Sequence, residues 1–159
     1  MEASQAPKAA IRHLTVPCPS CGRLNRIDAG RAADGPKCGA CGTPMALDHP
    51  LRLTQQNFDR VIGGTDVPVL VDFYADWCGP CRMMAPAVDR LARESVGSAL
   101  VAKLDTDAAP QLSQRFQIRG IPTSIVFREG REATRQTGAV GFDTLKSMLG
   151  RGRDVKGEA

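Results

Sequence analysis

The stretch Val69-Leu70-Val71-Asp72-Phe73-Tyr74-Ala75-Asp76-Trp77-Cys78-Gly79-Pro80-Cys81 decides how the rest of the chain is read. Its first half belongs to an apolar run over residues 68–74, which predicts a buried strand. Beyond Cys81, Met84, Val88 and Leu91 recur at helical steps with Ala85 and Ala92 alongside, which predicts a helix that Pro86 kinks rather than ends. Two cysteines therefore stand where a strand hands over to a helix. The free N–H groups and the positive dipole end of a helix start stabilise an anion. Cys78 is the candidate nucleophile, with a lowered thiol pKa, and Cys81, one turn on, lies within reach of a disulfide with it. Asp72 is the anomaly of the strand. A carboxylate in an apolar run is expected to be buried, which raises its pKa. A core Asp satisfied by hydrogen bonds is the competing reading, but its place on the strand leading to Cys78 makes it a candidate for proton transfer.

The other four cysteines precede this stretch. Cys18 and Cys21, then Cys38 and Cys41, form C-x2-C-x16-C-x2-C, a spacing that falls in the range of a four-cysteine zinc site. A glycine follows each pair, Gly22 and Gly42, where a positive φ lets the backbone turn so that amides approach the sulfurs. Four thiolates complete the tetrahedron of a structural Zn²⁺, one per chain, and leave no open position. Few large apolar residues surround these cysteines, and a module so poor in core needs a metal or disulfides. Two redox dithiols or an iron–sulfur site remain as alternatives. His13 and His49 flank the module and read as surface residues.

With 159 residues, 42% of them hydrophobic and 24% charged, the chain holds one ordinary domain and a small appendage. The net charge of +4 is spread out, with no dense basic stripe, so nucleic acid is not an expected partner. No run approaches the roughly 18 apolar residues of a membrane span. Residues 1–15 lack the apolar core of a signal peptide, so a cytoplasmic location is expected, where thiols stay reduced. Further along, residues 51–53 predict a short strand and residues 55–62 a helix capped by Thr54. Residues 99–104 and 124–127 predict strands around a short helix at 110–116. Residues 132–137 pair back as an edge strand, and Phe142, Leu145, Met148 and Leu149 line a last helix. The expected organisation is a flexible N-terminus over 1–14, a four-cysteine ribbon over 15–48, an α/β domain over 51–150 and a disordered tail over 151–159. Strands alternating with helices, closed by a hairpin, predict a mixed central sheet.

At this point the residues resemble a family. VDFYADWCGPC with Pro86 downstream, VAKLDTD, and RGIPT followed by a hairpin and Gly138-Ala139 make residues 51–150 similar to a thioredoxin. The four-cysteine segment resembles the N-terminal zinc ribbon of the thioredoxin-2 type. One departure is visible: Tyr74 stands where many members have Trp. The resemblance implies the thioredoxin fold, a mixed sheet flanked by helices, with a cis bond between Ile121 and Pro122 facing the cysteines. It implies reduction of protein disulfides by dithiol–disulfide exchange: Cys78 attacks, Cys81 resolves, and Asp72 takes the Cys81 proton through a water, with Lys103 modulating its charge. Gly79 would leave the approach open and Pro80 would stiffen the loop. Trp77, Ile121, Pro122, Gly138 and Ala139 would form the platform for an extended substrate segment. The implied partners are disulfide-containing proteins and an NADPH-dependent thioredoxin reductase, with no tightly bound organic cofactor in the chain itself. Two other readings stay open: a disulfide oxidase or isomerase, and a zinc-ribbon binding module that uses the thioredoxin domain as scaffold. The ribbon's role is open among scaffold, partner surface and redox sensor.

Overall fold

The structure, a computed structural model, describes residues 10–157. The first nine residues of the expected loose N-terminus, and the last two of the expected tail, lie outside them. Two strands open the described chain, β1 (His13–Pro17) and β2 (Leu24–Asp28), paired antiparallel. A short 3-10 helix at Ala29–Asp34 follows, capped by the Asp28 side chain, which accepts from the Gly30 N–H. Then come β3 (Leu51–Leu53), α1 (Phe58–Gly63), β4 (Val69–Tyr74), α2 (Gly79–Glu94), β5 (Leu100–Asp105), α3 (Pro110–Arg115), β6 (Thr123–Arg128), β7 (Arg131–Thr137) and α4 (Phe142–Gly157).

Strands β3 to β7 form one sheet in the order β3-β5-β4-β6-β7. The pairs β3/β5 and β4/β5 are parallel, β4/β6 and β6/β7 antiparallel. The thioredoxin fold expected from the resemblance is present. Central β4 is buried at every residue, as its apolar run requires, since helices cover both faces. One face buries Val69, Val71 and Phe73 against α1 and α3; the other buries Leu70 against Met84, Val88 and Leu91 of α2 and Leu145 and Met148 of α4. Helix α2 passes through Pro86 without ending.

Two boundaries differ from the sequence reading. Helix α1 begins at Phe58 rather than residue 55. The Thr54 N–H donates to Asn57 Oδ1 at 2.8 Å and the Asn57 N–H to Thr54 Oγ1 at 3.1 Å, so Thr54 caps a turn that delays the helix. At the other end, α4 runs to Gly157 where a disordered tail from residue 151 was expected. The sequence there contains glycine but no proline, and glycine weakens a helix without removing its N–H donors.

The ribbon is joined to the sheet by one core. Leu14, Val16, Ile27 and Met45 are buried in the same cluster as Leu51, Phe58 and Val61. The β1 edge also pairs with the chain after α1. The His13 N–H donates to Asp66 Oδ2 at 2.8 Å, the Asp66 N–H to His13 O at 2.8 Å, and the Thr15 hydroxyl to Gly64 O at 2.7 Å. No helix among the described residues is long and apolar enough to cross a membrane.

Candidate active site and four-cysteine cluster

The turn from β4 to α2 sets the first site. Cys78 is the N-cap of α2, with extended backbone, and its sulfur accepts the Cys81 N–H at 3.2 Å. Pro80 sits in the first turn, where a missing N–H costs no hydrogen bond. Cys78 and Cys81 are joined as a disulfide, so this is the oxidised form. Cys78 Sγ lies 3.7 Å from the carbonyl oxygen of Ile121, the residue whose peptide bond to Pro122 is cis. The Gly138 N–H donates to Pro122 O at 2.8 Å, which holds the loop after β7 beside the start of β6.

The proposed platform residues divide by exposure. Trp77 is 67% exposed and Ala139 exposed, Ile121 and Gly138 are half-buried, and Pro122 is buried. Trp77 and Ile121 edge a groove of about 570 Å³ shared with Thr106, Pro110, Gln117 and Arg119. The Trp77 indole N–H donates to Asp107 Oδ2 at 2.8 Å. Sequence reasoning missed Asp107; its only signal was the acidic stretch Asp105-Thr106-Asp107, thirty residues along the chain from its partner.

Asp72 is 1% exposed. It shares a small cavity, about 110 Å³, with Cys81, Lys103, Tyr74, Ala75 and Arg82. Burial pushes its carboxyl up to about 6, against the pull of the Lys103 ammonium. Lys103 is the cross-strand partner of Asp72, and its Nζ stands 4.4 Å over the Tyr74 ring. The cavity is polar and large enough for water. Asp72 and Cys81 therefore meet across one space, while Cys78 faces Ile121.

The second site gathers Cys18, Cys21, Cys38 and Cys41, whose four sulfurs all lie within 4.8 Å of one another. None is disulfide-bonded. Cys18 and Cys41 sulfurs are 3.6 Å apart, Cys21 and Cys38 sulfurs 3.7 Å. Zn–S bonds of about 2.3 Å in a tetrahedron require roughly 3.8 Å between sulfurs, so the residues fit Zn²⁺. The turns that close the cluster are the two glycines, Gly22 at φ 80° and Gly42 at φ 78°. They aim amides at sulfur: Ser20 and Cys21 N–H at Cys18, at 3.3 and 3.4 Å, and Ala40 N–H at Cys38, at 3.3 Å. Asn25 Nδ2 adds a contact of 3.5 Å to Cys38. Cys38 is drawn down to about 6, chiefly by the Cys41 and Ala40 amides. Cys21, despite the Arg23 amide, is pushed up to about 11 by lost water contact and the sulfurs around it. Four thiolates crowd one another unless a cation sits among them, and a divalent metal removes that conflict. His13 lies beside Asp66 and Arg26, and His49 beside Asp48, neither in the cluster.

Comparison with known proteins agrees with both halves. Residues 49–151 match the Thioredoxin family model, and residues 17–43 match the model described as Thioredoxin 2, N-terminal, a zinc ribbon. Thioredoxin C-3 of Corynebacterium nephridii is 39% identical over 136 residues, 86% of this chain and 93% of that protein. Thioredoxin 1 of a Nostoc species is 44% identical over 98 residues, 62% of this chain and 92% of that protein. Among solved structures, a mutant thioredoxin from Halobacterium salinarum superposes with a TM-score of 0.61 at 39% identity, covering 66% of this chain and 91% of that one.

Proposed function

The chain belongs to the thioredoxin family and is a protein-disulfide oxidoreductase, and from that premise we propose how its own residues carry the exchange. In the reduced protein the Cys78 thiolate attacks one sulfur of a substrate disulfide. A mixed disulfide forms and the first substrate thiolate leaves. Cys81 loses its proton to Asp72 through a water in the shared cavity, then attacks Cys78 Sγ and frees the second substrate thiolate. The protein ends as the Cys78–Cys81 disulfide, and the substrate gains two electrons and two protons.

The observation that carries this reading is the Cys78 sulfur at the start of α2, accepting the Cys81 N–H and bonded to Cys81. Lys103 tempers the charge of Asp72. Gly79 keeps the face of Cys78 free of a side chain, and Pro80 stiffens the first turn. The exposed Trp77, with Ile121, Pro122, Gly138 and Ala139, receives an extended substrate segment against the Ile121 backbone. Electrons return from NADPH through a thioredoxin reductase, and a cytoplasmic setting suits reduced thiols. Cys18, Cys21, Cys38 and Cys41 hold one Zn²⁺ in a ribbon spanning about residues 15–48, ahead of the exchange domain at 51–150. Bound there, the metal supplies a closed cross-link and no reactive position.

Insulin reduction coupled to thioredoxin reductase and NADPH tests the reading. Turnover is expected, Cys78→Ser abolishes it, and Cys81→Ser traps a mixed disulfide. No turnover from a protein whose oxidised form still hands its disulfide to reduced peptides would favour an oxidase or isomerase. Metal analysis under reducing conditions should give one zinc per chain.

A further inference from the structure

Two buried oxygens of the central sheet, Asp72 Oδ1 and Ser124 Oγ, have no hydrogen-bond partner among the described residues. They belong to one row across the sheet. Asp72 pairs with Lys103 on β5 and with Ser124 on β6, and Ser124 pairs with Gln136 on β7. Directly opposed residues put their side chains on the same face. That face lies under α2 and α4: Leu70, two residues before Asp72, and Val126, two after Ser124, pack with Met84, Val88, Leu145 and Met148. Ser124 is fully buried in this layer, where an apolar side chain would fill the space and an unpaired hydroxyl destabilises. Cβ atoms of opposed antiparallel residues stand about 4.5–5.5 Å apart. The two are not hydrogen-bonded in this structure; at that separation a turn of the serine side chain, or one intervening water, joins hydroxyl and carboxylate.

We propose that Ser124 is a positioning residue for the proton transfer, its hydroxyl donating a hydrogen bond to the Asp72 carboxylate opposite the Lys103 side. The inference rests on Asp72 acting as the base for Cys81. In that step the Cys81 S–H bond breaks and its proton passes through a cavity water to Asp72. The sulfur's electron pair then forms the bond to Cys78 Sγ. The bond from Cys78 to the substrate sulfur breaks, and its electron pair leaves with that sulfur, which takes a proton from solvent. Ser124 gives up no proton. Its O–H favours the charged carboxylate and fixes its orientation, offsetting part of what burial costs that charge. The groups that face Asp72 are Lys103 from β5, Cys81 and Arg82 from α2, Asp76 from the turn, and Tyr74 on its own strand. Among them Lys103 pulls Asp72 toward its charged form, while Arg82 donates to the Asp76 carbonyl at 2.7 Å. Ser124 adds a donor from the remaining side.

The test follows the Asp72 carboxyl by carbon NMR across a pH series on the reduced full chain, for Ser124 and its Thr, Cys and Ala variants. Loss of a hydroxyl donor to a charged group moves an ionisation midpoint by about one pH unit. Ser124→Ala is expected to raise the Asp72 midpoint by that amount, Ser124→Cys by less, and Ser124→Thr to restore it. Single-turnover insulin reduction should fall several-fold near pH 6 in Ser124→Ala, with the deficit shrinking at alkaline pH. A packing role would lower the rate evenly and leave the midpoint in place. Should the Ala variant not fold, the Thr and Cys variants carry the comparison. An unmoved midpoint, while Asp72→Asn still slows exchange, overturns the role of Ser124 alone. A wild-type rate profile in Asp72→Asn overturns the base itself, and Ser124 with it.

Discussion

The molecule uses the C-x2-C spacing three times, to two opposite ends. In the ribbon, each pair is followed by a glycine with positive φ, and the chain folds back so that two pairs meet as four free sulfurs. At the β4–α2 junction, Gly79 and Pro80 lie between the cysteines and a helix follows, so one pair turns inward on itself as a disulfide. Both sites stabilise sulfur anions with backbone N–H groups. What separates them is company. The ribbon sulfurs face one another, with amides and the Asn25 and Thr43 side chains beside them, a set suited to a cation, whereas Cys81 shares a cavity with a buried carboxylate, the base proposed above. On the function proposed above, a cysteine pair serves as a structural ligand or as a redox couple according to what stands within a few ångströms of it, not according to its spacing.

The largest expected effects come from deleting one sulfur at each site. Cys78→Ser should abolish disulfide exchange while one zinc per chain remains bound. Cys38→Ser should release the metal, whose binding supplies on the order of 10–16 kcal/mol in small zinc modules. Because Leu14, Val16 and Met45 share a core with Leu51 and Phe58, that loss should spread: calorimetry should show one lowered transition rather than a melted ribbon beside an unchanged domain. Two separate transitions, the later one at the wild-type temperature, would show that the shared core transmits nothing.

Asp72 gives the next effect, confined to the second site. Its carboxyl rises from 3.8 to about 6 on folding because it is buried. The folded state therefore holds the proton over a range where the unfolded state has lost it. The associated stability is complete below about pH 4 and is lost as pH rises through about 6. Asp72→Asn removes the ionisation, so the variant should gain on the wild type across that window and level off about 3 kcal/mol more stable at neutral pH, while exchanging disulfides more slowly. Urea melts at pH 4 and pH 7.5 measure the difference. Equal midpoints at both would mean that the carboxylate is not destabilised inside the fold.

What the sequence made legible was local. The apolar run into Trp77-Cys78-Gly79-Pro80-Cys81 and the paired cysteines each declare themselves within a few residues, because strand burial, helix start and metal turn are written at short range. Long-range register is not. Ser124 reads as an ordinary first residue of an apolar strand, and only the β4/β6 pairing sets it against Asp72. Asp107 reaches Trp77 for the same kind of reason. The ribbon read as a module with too little core of its own, which its residues support. That it shares a core with α1 and β3 depends on packing that no local pattern records. The start of α1 was misplaced because Thr54 and Asn57 both carry capping chemistry, and the pair closes a turn first.

The smallest effect is also the sharpest contrast between the two sites, since it turns on one methyl group at comparable glycines. Gly42 follows its cysteine pair at φ 78°, and no atom lies within 4 Å of where a Cβ would stand. An alanine there has room but the wrong backbone, and a left-handed residue costs about 1–2 kcal/mol. Gly79 also has open space around it but no positive φ, and it is the first residue of α2. Alanine there should be neutral or stabilise by up to about 1 kcal/mol through helix propensity. The cost of Gly79→Ala should appear instead in exchange, as a methyl group beside Cys78 narrows the approach of a protein disulfide more than that of a small one. Gly42→Ala should do the reverse, lowering the melting temperature and easing metal release to a chelator, with the exchange rate per folded molecule unchanged. If Gly79→Ala proved the more destabilising of the two, backbone conformation would not be what distinguishes the metal turn from the redox turn.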